Sequence, residues 1–307
     1  MFDIAIILVH YNSGLLTAEC VKSIINKTAA GISYQIIVVD NNSEYADYLQ
    51  LKDSLSAIEF KNLQLIRSRI NTGFGGGNMA GVLHADARYF AFVNNDTVFK
   101  TDCLSALLHN LENIPAAGVA GGQSYKEDGS FLTSFDHFSS PAREILGRSL
   151  LEKINSRRFP KRKRLYSSPI KVDFVAGSFM FVRAADFYAV GGFDNNIFLY
   201  HEETDLCKRL KAIGKDAWLI PTAEFLHYHG ASTGRSVAIK KELKISLLYV
   251  MRKHYGILGW FAVWLFLLIK YALSSLVKPK NWPQLALIAK GAPLSASLKQ
   301  KQAIAQK

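Results

Sequence analysis

Two short segments, far apart in the chain, carry the residue types that could do chemistry. VNNDTVF at 93–99 and FLYHEETDLCKRL at 198–210 each set carboxylates just after an apolar run, and the histidines of EFLHYHG follow closely. Carboxylates so placed could divide two tasks. One holds a divalent cation against a diphosphate leaving group, while a second, metal-free, takes a proton from an attacking hydroxyl.

Both segments need a scaffold that presents them at one edge. Ile4–Val9 is apolar on every residue and Gln35–Val39 on all but its first, and they stop at Tyr11-Asn12 and at Asp40-Asn41-Asn42. Leu63–Arg67 and Tyr89–Val93 read as further strands, the latter delivering Asn94-Asn95-Asp96-Thr97. Strands that are apolar on both faces and alternate with helical spacing, as in Leu16–Asn26, predict a mainly parallel sheet covered on both sides, an α/β fold. Ligands of such sheets bind beyond the carboxyl ends of the strands, where these polar clusters converge.

INTGFGGGNMAG predicts a glycine loop whose backbone approaches a ligand, followed by a helix whose N-terminus favours an anion. Its spacing is not GxGxxG and it follows the third strand, which argues against a dinucleotide-binding domain; a plain flexible turn is the alternative. Further on, Phe179–Val182 reads as a strand, Ala184–Val190 as a short helix, and Gly191–Asp194 as a turn leading to the second acidic cluster. Glu202, Glu203 and Asp205 open a helix, where the macrodipole alone favours acids, yet three beside Tyr200 and His201 exceed what a cap requires. A strand at Ala217–Ile220, ended by a turn at Pro221, precedes His227 and His229.

With 307 residues, one large catalytic domain plus an appendage is expected. The formal charge of +12 implies an anionic partner, which charge alone cannot identify. Three widely spaced cysteines, Cys20, Cys103 and Cys207, suggest no disulfide framework and fit a reducing cytosol. The N-terminal run lacks a basic leader and reads as a buried strand, implying no secretion.

Taken in order, VHYN, VVDNNS, NTGFGGGN, NNDT, GGFD, HEETDL and the histidine pair resemble a family 2 glycosyltransferase of GT-A fold, and within it the bacterial rhamnosyltransferase-like branch, over residues 3–235. The resemblance implies an inverting, metal-dependent sugar transferase. Asp40 would accept from the nucleobase imide with Tyr11 lining the base pocket, and Asn12 and Asn42 would join them on the donor side. Asn71, Gly73 and Asn78 would follow the ribose and diphosphate, with Asn94 and Asn95 beside Asp96. Asp96 would hold Mg2+ or Mn2+ together with His227; Asn94 stands where the family's DxD motif has its first acid, so other ligands must help. Glu203 would be the general base, Glu202 and Asp205 would orient the acceptor, and Arg235 would clamp phosphate within a loop of Gly230, Ser232 and Thr233.

Two regions fall outside the strongest resemblance. The variable stretch 124–171 contains RRFPKRKR at 157–164, either a solvated mobile loop or a patch for lipid headgroups or pyrophosphate. Residues 236–307 form a helical, membrane-associating region. From Ile239 to His254, Leu243, Leu247, Val250 and Met251 share a face against Lys240, Lys241, Lys244 and Arg252, which predicts a surface-lying helix. Residues 256–269 are uncharged and aromatic-rich but short for a span, which favours a monotopic or re-entrant anchor over a transmembrane helix; a buried core helix or dimer interface is the third reading.

The resulting expectation is a transferase at the cytoplasmic face of the bacterial inner membrane, with dTDP-L-rhamnose as donor and a polyprenyl-diphosphate-linked saccharide as acceptor in O-antigen or related polysaccharide synthesis. Its partners would be a nucleotide-diphosphate sugar, that lipid-linked saccharide and an anionic membrane surface, with no nucleic acid. A UDP-hexose or galactofuranose donor is the alternative in the same fold. A nucleotidyltransferase would carry its glycine loop after the first strand, and a non-catalytic nucleotide-sugar-binding module would not need Glu203 beside Asp96 and His227.

Overall fold

A computed structural model describes residues 1–228 and 236–304. The apolar runs become strands β1 (Phe2–His10), β2 (Tyr34–Asn41), β3 (Leu63–Ser68) and β4 (Ala87–Asn94). They are followed by β5 (Thr97–Phe99), β6 (Ala117–Tyr125), β7 (Phe135–Asp136), β8 (Ile170–Val172), β9 (Phe174–Val175), β10 (Phe179–Arg183) and β11 (Asp216–His227). Among the described residues the main sheet has nine strands in the order β3-β2-β1-β4-β10-β6-β11-β5, with β8 added beside β11, while β7 and β9 pair apart. The first four pair in parallel and β10 runs antiparallel between β4 and β6, so four strand ends reach one edge.

Alternation sorts β1 onto two cores. Ile4, Ile6 and Leu8 pack with helices α1 (Gly14–Lys27), α2 (Tyr45–Ser56) and, beyond α3 (Gly73–Val82), α4 (Cys103–Asn113). Ala5 and Ile7 face α3 and, past the short α5 (Pro141–Leu146) and α6 (Arg148–Ile154), α7 (Ala184–Ala189) and α8 (Glu202–Ala212). All five β1 side chains are fully buried, each worth roughly 1.5–3 kcal/mol for the larger ones, which is why the run is apolar without a break.

Several expectations are corrected. The glycines of 73–77 do not form a loop before a helix: α3 begins at Gly73 and contains them. Pro221 ends no strand, because β11 continues to His227 and absorbs it in a register shift between Ile220 and Glu224, where no ladder donor is needed. The basic stretch 157–164 is partly pinned, with Arg158 2.7 Å from Asp173 and Arg162 3.0 Å from Glu152.

The largest correction concerns α9 (Val237–Val277), whose run of helix is broken at Gly256, φ 66° and ψ −165°. Only glycine takes that backbone readily, and the chain folds back there. Lys244 on the first half stacks over Tyr271 on the second, 5.6 Å from the ring centre. Leu247, Val250 and Met251 therefore do not lie on a surface; they bury with Val263 and Leu267 of the second half and with Leu287 and Ile288 of α10 (Trp282–Ala289). What remains outside is a stripe on the second half: Leu258, Phe261, Leu265, Ile269, Leu273 and Leu276 are all exposed. The helix is long and apolar enough to cross a membrane by length and composition, with a mean hydropathy of 1.9 over its best window.

Candidate active site

At the sheet edge lies an open cavity of about 1060 Å³, walled by Tyr11, Asn41, Asn71 and Gly73 on one side and by Asn94, Asn95, Asp96 and His227 at its floor. Glu202, Glu203, Leu199 and Tyr200 close the opposite side with Ile239, Lys240 and Leu243 of α9. Strands β4 and β11 supply the floor. Asp96 is 1% exposed, and its Oδ1 lies 3.2 Å from His227 Nε2 but accepts no hydrogen bond. A buried carboxylate oxygen without a donor is costly, and a hard cation shared with the imidazole would satisfy it. Among the described residues no third histidine, cysteine or carboxylate joins them, so the remaining ligands would come from diphosphate oxygens and water, as suits Mg2+ or Mn2+.

The acidic side is held by backbone geometry. Tyr200 and His201 both adopt left-handed φ, 69° and 71°, immediately before α8, a sparsely populated conformation for two consecutive side-chain-bearing residues. That turn aims the first residues of α8 at the cavity. His201 is kept neutral, its pKa lowered to about 3 by burial and by the charges of Lys244 and Arg148, and its Nδ1 meets Ser139 Oγ at 2.9 Å. On the far side Gly73, φ 77°, lets the Phe198 carbonyl approach: the Phe74 amide donates to it at 3.0 Å, and a Cβ on Gly73 would stand 2.0 Å from that oxygen. Gly75 likewise faces Glu202.

Glu202 and Glu203 differ in environment. Glu202 is 2% exposed, and burial together with the neighbouring Glu203 charge pushes its carboxyl well above the usual range. Burial raises Glu203 as well, while backbone hydrogen bonding and the Glu202 proton hold it back. Glu202 is thus the member of the pair that holds a proton more firmly, and Glu203, which lines the cavity, is the one placed to accept a proton there.

Other sequence-assigned residues fall outside the wall. Asp205 does not face the cavity; it is fully buried and bound by Arg209, Lys253 and His254. Asp40 is also fully buried, its Oδ1 accepting from the Ser43 amide and its Oδ2 lying 3.5 Å from Arg67 Nε without a hydrogen bond. Asn12 accepts from the Glu44 amide, Asn42 donates to the Ala303 carbonyl, and Asn78 is turned back onto the Phe74 carbonyl within α3. Arg235, with His229, Gly230, Ser232 and Thr233, lies outside the described residues.

Sequence reasoning gave no role to two positioning groups. Asn41 Nδ2 donates to Asn71 Oδ1 and to the Gly73 carbonyl, while its Oδ1 accepts from the Thr72 amide and hydroxyl, fixing the donor-side wall. Its place in the strand-end triplet Asp40-Asn41-Asn42 was the available signal. His10 is fully buried between Asp47, 2.6 Å from Nε2, and Thr17, 2.8 Å from Nδ1; Thr17 in turn accepts from Asn95. Burial lowers the His10 pKa against the pull of Asp47 and Asp40. This chain of bonds sets the residue beside Asp96.

A family model described as Glycosyl transferase family 2 matches residues 5–191. The chain belongs to that family, and it is a glycosyltransferase of GT-A fold. It is 31% identical over 241 residues to rhamnosyltransferase WbbL of Escherichia coli strain K12, covering 76% of this chain and 88% of that one. It is 30% identical over 221 residues to the N-acetylglucosaminyl-diphospho-decaprenol L-rhamnosyltransferase of Mycobacterium tuberculosis, covering 64% and 69%. Among solved structures, GalNAc-T7 with UDP, GalNAc and Mn2+ superposes with a TM-score of 0.62 at 12% identity, over 94% of this chain and 56% of that one. The mannosyltransferase PcManGT of Pyrobaculum calidifontis with GDP-Man and Mn2+ gives 0.56 at 13% identity, over 96% and 87%.

Proposed function

We propose that the chain transfers L-rhamnose from dTDP-L-rhamnose to a polyprenyl-diphosphate-linked saccharide, with inversion, at the cytoplasmic face of the membrane during surface polysaccharide assembly. The observation that carries this reading is one cavity uniting Asp96 and His227 on its floor with the Glu203 carboxylate opposite. The two rhamnosyltransferase relatives support the sugar, and the second, which acts on a diphospho-decaprenol, supports a lipid diphosphate acceptor.

In this reading Asp96 and His227 hold Mg2+ or Mn2+, which supplies counter-charge to the leaving diphosphate. Tyr11 offers a ring for the base. Asp40 stands fully buried behind the donor-side wall with Arg67 3.5 Å from its Oδ2, and the base on the cavity side could be uracil or thymine. Asn71, held by Asn41, lines the donor wall, and Glu203 takes the proton of the acceptor hydroxyl as it attacks the anomeric carbon from the opposite side.

The folded-back α9 supports monotopic attachment. Its first half carries Lys240, Lys241, Glu242, Lys244, Arg252 and Lys253, charges that cannot enter hydrocarbon. Because the second half packs along it, that half lies in the interface plane with its exposed stripe toward lipid, and does not cross.

The deciding experiment is a donor screen with full-length protein, metal and a lipid-linked acceptor, reading product mass. Transfer from dTDP-L-rhamnose is expected. A UDP-hexose or galactofuranose donor working in its place would replace the sugar assignment but keep the class.

A further inference from the structure

The cavity has a cationic group that donor chemistry does not use. Lys240 is the one lysine or arginine lining it among the described residues, it is exposed, and it forms no ion pair with a described carboxylate. Its neighbour Lys244 is otherwise engaged, facing Glu144 and Tyr271. Ser246 donates to the Leu199 carbonyl at 2.8 Å, which fixes this part of α9 against the segment leading into Glu203. Lys240 therefore belongs to the acceptor side.

Apolar surface adjoins it. Ile239 and Leu243, four residues apart on one face, line the cavity on either side of Lys240. Since Tyr271 lies against Lys244 and the two halves of α9 are antiparallel, the residues after 271 run alongside the turns before 244. Leu273 and Leu276, 62% and 77% exposed, thus place the end of the exposed apolar stripe on the same side of the hairpin as the cavity mouth.

We propose that Lys240, Ile239 and Leu243 form a subsite for the lipid diphosphate of the acceptor. Lys240 takes the diphosphate and the two apolar residues take the first prenyl carbons, so that the sugar beyond the diphosphate reaches Glu203. This rests on the proposed reaction.

The test uses full-length protein, its Lys240→Ala and Lys240→Arg variants, and two acceptors: farnesyl-diphosphate-linked N-acetylglucosamine and a neutral alkyl N-acetylglucosaminide. Loss of one charge-assisted contact should lower the kcat/KM preference of the alanine variant for the diphosphate acceptor by about tenfold or more, with arginine restoring most of it. A rise in donor KM with that preference intact would assign Lys240 to the nucleotide diphosphate and overturn the subsite. Calorimetry with farnesyl diphosphate alone separates the two proposals. Weakened binding in the alanine variant without transfer from any donor would keep the subsite and sink the reaction, whereas equal binding by all three proteins would sink the subsite even if transfer is found.

Discussion

Asp205 and His254 lie 2.7 Å apart, Oδ1 to Nε2, joining helix α8, which carries Glu203, to the last turn of α9 before its break. Lys253 reaches the same oxygen at 2.7 Å and Arg209 the other, also at 2.7 Å. Burial alone would raise the Asp205 pKa, but His254, Arg209 and Lys253 together bring it down to about 2. A carboxyl depressed on folding adds stability above its unfolded pKa and loses it as pH falls through the folded value, so the loss should occur between about pH 4 and pH 2 and amount to roughly 2 kcal/mol. Asp205→Asn should destabilise by about 3 kcal/mol at neutral pH, because the Arg209 and Lys253 cations lose the carboxylate that faces them and His254 loses a charged acceptor. Chemical denaturation at pH 7 and pH 3 checks both; a variant as stable as wild type would show the clamp to be idle.

Glu203→Gln keeps size and hydrogen bonding but cannot accept a proton. Turnover should fall by roughly 10²–10⁴-fold while donor binding persists. Since burial raises the Glu203 pKa, the acid limb of kcat/KM in the parent enzyme should lie above the ordinary carboxylate range, activity rising with pH. If Glu202→Gln were the dead variant and Glu203→Gln active, the two roles would be exchanged.

Asp96→Ala should lower turnover by at least about 10²-fold, since charge would build on the diphosphate unopposed. His227→Ala should raise the metal concentration needed for half-maximal rate. Unchanged activity in EDTA would remove the metal from the reading.

The exposed stripe gives a prediction about membranes. Leu258→Glu, Leu265→Glu and Leu273→Glu combined should leave thermal stability close to wild type, because these side chains are 81%, 39% and 62% exposed, and should abolish sedimentation with anionic liposomes. High salt should release the parent only in part, since screening acts on the lysines and not on the leucines. Continued sedimentation of the triple variant would point to a different attachment surface.

The strand ends were legible because a parallel sheet buries both faces, so β1, β2 and β4 had to be apolar until they reached the edge. The same logic pointed to Asp96 at the end of β4, while His227 and Glu203 came from their place in the family's motif series; the structure brings all three to one cavity. Sequence reasoning failed where one residue type serves two ends: Asp205 in a first helical turn reads like Glu203, and only packing shows that Asp205 turns into protein and Glu203 into the cavity. Pro221 misled because a strand may carry proline at a bulge, which depends on the partner strand. The fate of Leu247, Val250 and Met251 turned on Gly256, a single glycine in an apolar run whose φ no periodicity predicts.

In the proposed membrane-bound state, that break at Gly256 would also decide which aqueous compartment can see the protein. A rod of forty-one residues would carry one end to the far side of a bilayer; a hinge at its middle would return both ends to the side they came from. The three native cysteines are buried and should stay silent toward impermeant thiol reagents, so a single cysteine placed at Leu258, beside the hinge, would report by itself. In sealed vesicles it should be labelled only from the face on which the sugar donor is supplied.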